Sequence, residues 1–120
     1  MEPYINRCVL QGRVVTMPRM KSLSAKTKLT YFQLAMRESW TNASGRQCSR
    51  NNRITVEVLG RDSSDVVDKA RVGSWVTLEG YIRSEEYQGQ TIMKIRTLNI
   101  RIWEYTDAEE AAAEPRQGDG

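Results

Sequence analysis

Aromatic side chains set beside arginines at turn-rich positions are the part of this 120-residue sequence best suited to chemistry. Trp40 follows Arg37 and stands ahead of Arg46, Arg50 and Arg53. Tyr87 sits in a Gly-containing stretch that follows Arg83. A flat ring at a loop edge offers a face on which an unpaired base can stack, worth roughly 1–3 kcal/mol, and a neighbouring cation meets the phosphates. A tryptophan beside turn residues can also be a core residue, but stacking is the better fit for Trp40. Residues 17–28 add Arg19, Lys21, Lys26 and Lys28 without a single acid.

Catalysis is poorly supplied. The chain has no histidine, which removes Ser–His and Cys–His pairs, histidine metal ligation and the usual neutral-pH base. Cys8 and Cys48 are distant and form no CxxC pair, so they make no zinc site unaided and are expected as two reduced thiols. Asp62, Asp65 and Asp68, spaced by three, could share a helix face and hold magnesium for a nuclease. They also fall where a helix begins, and negative charge is stabilising there without any metal. No GxxxxGK run occurs. The expectation is no enzyme, no catalytic residue, no metal and no cofactor.

The elements that must position these residues follow from hydrophobic period. Ile5–Thr16 carries Val9, Leu10, Val14 and Val15 around Gly12 and reads as a strand, the mid-strand glycine marking a bend or bulge. Residues 17–28 read as a loop. In Leu29–Trp40, Phe32, Leu34 and Met36 alternate with Tyr31, Gln33, Ala35 and Arg37, a period-two strand with one buried face. Residues 41–52 are turn-formers and read as a hairpin tip, from which Arg53–Gly60 returns. Arg61–Arg71 reads as one short helix, with Ser63 or Ser64 as cap and Lys69 and Arg71 suiting its end. Ser74–Arg83 alternates Val76, Leu78, Gly80 and Ile82 against Trp75, Thr77, Glu79 and Tyr81. Residues 84–90 read as a hairpin loop and Thr91–Trp103 as a last strand. Three strands, one helix and two strands give an all-β OB-fold, a five-stranded Greek-key barrel with a short helix between strands 3 and 4. Seven or more strands would be expected of a sandwich. Trp75 and Trp103 are read as packing residues, in the barrel or between subunits; Tyr31 lies either on a binding surface or between subunits.

Charge is unevenly spread. Residues 1–103 hold 17 Lys or Arg against 9 Asp or Glu, whereas 104–120 hold six acids and only Arg116. A basic body draws polyanions over a Debye length, roughly 8–10 Å in physiological salt. The reading is therefore a domain at 1–103 and an acidic, disordered C-terminal tail at 104–120. No stretch approaches the roughly 20 apolar residues of a membrane span, and the first seven residues lack a signal-peptide run, so a cytoplasmic protein is expected.

Three stretches also carry a family likeness. Phe32–Trp40, ending Glu-Ser-Trp, resembles the second strand of bacterial single-stranded DNA-binding proteins. Asn6–Val14 resembles their first strand, and Val72–Arg83, with Gly-Ser and Glu-Gly, their fourth. The resemblance covers about residues 5–103. It implies an OB-fold that binds single-stranded DNA in replication, recombination or repair, without base readout. A single barrel offers a short groove, so a homo-oligomer (dimer or tetramer) is expected; replication or repair proteins are candidate further partners, but the family's recruiting Pro-Phe tip is not matched by Gln117-Gly118-Asp119-Gly120. By the same resemblance Trp40 and Tyr87 take two stacking positions, Arg61, Arg71 and Arg83 lie near the groove, and Arg53 stands where a third stacking tryptophan belongs. The Asn-Arg-x-Val-Leu start and the Val-Gly-Ser run are also similar to the short primosomal replication protein N branch, although Glu85-Glu86 departs from its basic loop. A primosome accessory role and a protein-interaction OB module are the alternatives. The expected nucleic-acid-binding residues are Trp40, Tyr87, Arg37, Arg53, Arg61, Arg71, Arg83, Lys21, Lys26 and Lys28.

Overall fold

The computed structural model describes residues 3–103, so the acidic tail expected at 104–120 lies outside the described residues. Hydrophobic alternation decides how its strands face. In β3 (Lys28–Thr41) Phe32 and Leu34 are buried, and the neighbouring β4 (Gln47–Leu59) buries Val56, opposite Phe32, and Val58. β1 (Cys8–Val14) adds Val14, β5 (Trp75–Tyr87) adds Val76 and Leu78, and β6 (Gln90–Ile102) adds Ile95. Successive side chains point to opposite faces of a strand, so these positions turn one face of every strand into a common core. Val66 of α1 (Arg61–Lys69) and Ala70 plug one end of it.

The strands run in the order β1-β5-β6-β4-β3, and β1 returns to β3 through Arg13↔Ala35 and Val14↔Leu34. Five strands thus close into a barrel, with α1 between the third and fourth of them in chain order, as expected of an OB-fold. Every barrel ladder is antiparallel except β4 with β6, where Thr55, Val56 and Glu57 run alongside Lys94, Ile95 and Arg96. The sixth strand, β2 (Arg19–Ser22), lies in the stretch expected to be a loop and pairs along the outside of β3 from Arg19↔Tyr31 to Ser22↔Lys28. It is short and basic, features that blunt an exposed sheet edge.

Both hairpins are longer than their composition indicates. The turn expected over 41–52 shrinks to Asn42–Arg46, where the Asn42 side-chain carbonyl accepts hydrogen bonds from the Ser44 and Arg46 amides at 3.0 and 2.9 Å. Residues 47–52 are polar turn-formers by type, yet they pair in full register from Thr41↔Gln47 to Met36↔Asn52. Here cross-strand pairing overrides local preference. In the second hairpin β5 runs on to Tyr87, and Gln88 and Gly89, with φ of 50° and 80°, make a two-residue turn of the kind that matches strand twist.

Ser63 does not cap α1. Its hydroxyl is buried and paired with Thr30, whose own hydroxyl donates to the Ser63 carbonyl at 2.8 Å, locking the helix onto β3. The helix starts instead from Gly60, at φ 73°, without a side-chain cap. At the other end of β1 the Asn6 amide does a backbone's work, donating to the Ile82 carbonyl at 2.7 Å and accepting from its N–H at 2.8 Å. Both cysteines are free thiols. Trp75 is half-buried beneath the Arg13 guanidinium, and the Trp103 indole donates to Thr77 Oγ1 at 2.9 Å while Arg101 stacks on its ring.

Two glycines set the tightness of closure. A side chain at Gly12 would run into the Ala35 carbonyl oxygen, and one at Gly80 into that of Arg96. Gly12 therefore serves close approach of β1 to β3, while the bulge lies at Glu79/Gly80, opposite the extra residue Leu98. Backbone obstacles cannot swing aside as side chains do, so Gly80→Ala is expected to cost about 1–3 kcal/mol. Thermal unfolding should show Tm lower by roughly 5 °C or more, with Gly45→Ala, whose added methyl meets open space, as the contrast for strain from positive φ alone.

Candidate nucleic-acid interface

Past the barrel, β3 and β4 pair only with each other among the described residues, as do the ends of β5 and β6. Each pair becomes a protruding two-stranded ribbon. The parallel seam settles their relation: β4 comes back from its tip to Thr55 in the same direction as β6 comes from its own tip to Lys94. Both ribbons therefore leave the same end of the barrel.

Register then assigns each candidate a face. In β3 the odd-numbered Tyr31, Gln33, Ala35 and Arg37 stand opposite Glu57, Thr55, Arg53 and Asn51, all on the outer face. Lys94 and Arg96 share it through the seam, and Tyr81, Arg83, Glu85 and Tyr87 share it through β5. Arg37 and Arg53, both exposed, are thus diagonal neighbours on one ribbon, and Tyr87, 61% exposed, ends the outer face of the other. Lys21 joins them at the barrel, its ammonium 5.7 Å from the Tyr31 ring centre.

Trp40 is three residues from Arg37, an odd number, so its ring belongs to the reverse face of the ribbon, opposite Cys48. It is 43% exposed there, beyond Glu38 and Arg50, whose charged groups lie 3.4 Å apart. The remaining candidates lie elsewhere. Lys28 begins β3 with Lys26 in the bend before it, and Arg61 begins α1, so Lys28 is about 40 Å of strand away from Trp40. Arg71 spends its guanidinium on the Asp68 and Ala70 carbonyls at 3.0 Å, closing the end of α1.

Beneath the outer face lies a buried charge. The Glu57 side chain is 3% exposed, and its Oε1 accepts from Arg96 Nε and Nη2 at 3.3 and 3.1 Å. Its Oε2 lies 3.5 Å from Lys94 Nζ, and Arg83 Nη1 approaches to 3.9 Å. Lys94 also donates to Glu85 Oε2 at 3.0 Å. That hydrogen bond, reinforced by the ammonium charge, holds the Glu85 carboxyl below its ordinary range. The same bond raises Lys94 against the opposing effect of its partial burial, with Glu57 adding to the rise. Among the described residues no group of three or more carboxylates or cysteines converges as a metal site.

A family model described as the single-strand binding protein family matches residues 5–106. The chain belongs to that family. Single-stranded DNA-binding protein 1 of Staphylococcus aureus (strain COL) is 28% identical over 86 residues, 72% of this chain and 50% of the relative. Single-stranded DNA-binding protein 2 of Staphylococcus aureus (strain MSSA476) matches to the same extent. The chain spans about half the length of these curated relatives. Among solved structures, the Plasmodium falciparum SSB complex with ssDNA superposes with a TM-score of 0.77 at 24% identity, over 87% of this chain and 99% of that one. The small single-stranded DNA-binding protein of Streptomyces coelicolor gives 0.65 at 20% identity, over 80% and 90% of the two chains. These superpositions show the same fold.

In this member of the single-strand binding protein family the sequence pattern overlooked Lys94 and Arg96 as outer-face cations. Their signal was present, since residues two apart in a strand share a face, but their β-branched neighbours Ile92 and Ile95 give the segment the composition of a core strand. Glu57 is the anion that keeps them in place. Glu57→Ala would take from the largely shielded Arg96 its carboxylate partner and leave Lys94 with Glu85 alone, which is expected to cost about 3 kcal/mol. Urea unfolding should show a lower midpoint with an unchanged slope.

Proposed function

We propose that this chain binds single-stranded DNA without base-specific readout, as a non-enzymatic cytoplasmic protein of replication, recombination or repair. The observation that carries the reading is the pair of ribbons leaving one end of the barrel, each ending in an exposed aromatic ring. Trp40 and Tyr87 supply stacking faces, and Arg37, Arg53, Arg83 and Lys21 supply phosphate contacts. Because Trp40 lies behind Arg37, the nucleotide chain crosses the outer face and turns round the edge of the β3–β4 ribbon to reach it. Lys26, Lys28, Arg61 and Arg71 lie too far from the ribbons to share the same few nucleotides; they lengthen the positive track over the barrel. Membership of the family, and relatives named as single-stranded DNA-binding proteins, support the reading.

The same proposal includes self-association. On the outside of β1, β5 and β6 lies an apolar depression of about 260 Å³, edged by Val9, Thr77, Glu79, Asn99 and Arg101, with Val9 68% exposed and Ile100 packing against the core. Trp103 and Leu98, also exposed, are further apolar residues of β6 and its end. A second copy covering this face would remove that surface from water and join two strand-binding faces into a longer track.

Tryptophan fluorescence should be quenched by oligo-dT, and log K should fall against log salt with a slope of roughly −0.7 per phosphate contacted. Trp40→Ala and Tyr87→Ala should each weaken binding by about 1–3 kcal/mol, the first also removing most of the quenching. Titration curves identical to wild type in both variants would refute the stacking assignment. Light scattering should give a mass at least twice the 13.8 kDa of one chain, reduced to one chain by Val9→Arg.

A further inference from the structure

We propose that Glu85 is a built-in rival of the nucleic-acid backbone for Lys94, and so sets how tightly and with what salt dependence the outer face holds a strand. The inference rests on the binding reading above and deepens it.

Lys94 has two carboxylate partners of unlike character. Glu57 is buried, held twice by Arg96, and lies 3.5 Å from the ammonium; it is part of the framework. Glu85 lies closer, at 3.0 Å, yet its side chain is 40% exposed and sits on β5 two residues before Tyr87, on the same face. Like any carboxylate it is anionic near neutral pH, and the bond to Lys94 lowers its pKa further. A phosphate drawn in beside a base on Tyr87 presents the same kind of oxygen to the same ammonium. Both anions cannot occupy that position, and their charges repel. Glu57 cannot yield, so Glu85 does.

Displacement has two consequences. The Lys94–Glu85 bond is lost, which subtracts from affinity. The freed carboxylate then gathers a cation from solution, so one fewer ion is released overall when the strand binds, and the salt dependence is shallower than the number of phosphate contacts implies. Glu86 is the natural contrast. Adjacent in the strand, it points to the other face and accepts a hydrogen bond from Thr91 Oγ1 at 2.7 Å.

The test is a fluorescence titration of the full chain with oligo-dT across a salt series, comparing wild type, Glu85→Gln and Glu86→Gln. Glu85→Gln should bind about two- to fivefold tighter at low salt, with a log–log slope steeper by roughly 0.7–1. Glu86→Gln changes net charge by the same amount and should leave the slope at the wild-type value. Equal shifts in the two variants would show a general field effect and overturn the proposal, as would a Glu85→Gln variant that binds like wild type. A wild-type chain that fails to bind oligo-dT would instead remove the underlying binding reading, whatever the variants do.

Discussion

Three residues of β4 running parallel to three of β6 hold this molecule's function and its fold together. Without that seam the sheet β1-β5-β6 and the hairpin β3–β4 would be joined on one side only, through the two residue pairs between β1 and β3. A parallel seam also fixes direction. An antiparallel one would send the two ribbons out of opposite ends of the barrel and leave no common surface. The seam further brings Glu57 beside Arg96 and Lys94, so the point where the barrel closes is also where its outer face gathers positive charge. Burying a carboxylate there is costly, and the cost is offset only while all its partners keep their geometry.

Much of the fold was legible because barrel cores demand alternation. Phe32 with Leu34, Val56 with Val58 and Val76 with Leu78 each declare a strand and its inward face, and one helical interval between Gly60 and Gly73 then fixes the topology. Ribbon lengths were not legible. Gln47, Ser49, Arg50, Asn51 and Asn52 have the composition of a loop, and only the partner strand, whose pairing lies outside any local window, makes them extended. The short β2 was hidden for the same reason, since its four residues owe their conformation to β3. Ser63 read as a cap because hydroxyls favour that role, yet a buried hydroxyl with a buried partner at Thr30 satisfies more polar groups at once.

For the candidate site, the residues' places on the fold can be compared with the sequence, and their exposure was more legible than their faces. Trp40, Arg37, Arg53 and Tyr87 do lie on the exposed ribbons. Treating Trp40 and Arg37 as side-by-side neighbours overlooked parity, which the sequence numbers alone could have supplied. The Glu57 cluster was out of reach for a different reason: its members come from β4, β5 and β6, and nothing in residues 57, 83, 94 and 96 read singly ties them together.

The formal charge of the chain therefore overstates the charge a strand would meet. Arg83, Lys94 and Arg96 face Glu57 or Glu85, Arg7 faces Glu79, Arg50 faces Glu38, and Arg71 is turned onto helix carbonyls. Long-range attraction depends on the net field and survives this internal pairing, whereas tight contact requires cations that can turn toward a phosphate. Under the proposed binding reading, contact energy would rest more heavily on the two aromatic rings, which need no counter-charge. The β3–β4 ribbon, only two strands wide, suits that division of labour, because a nucleotide chain could pass from its cationic face to Trp40 on the reverse face around a single edge.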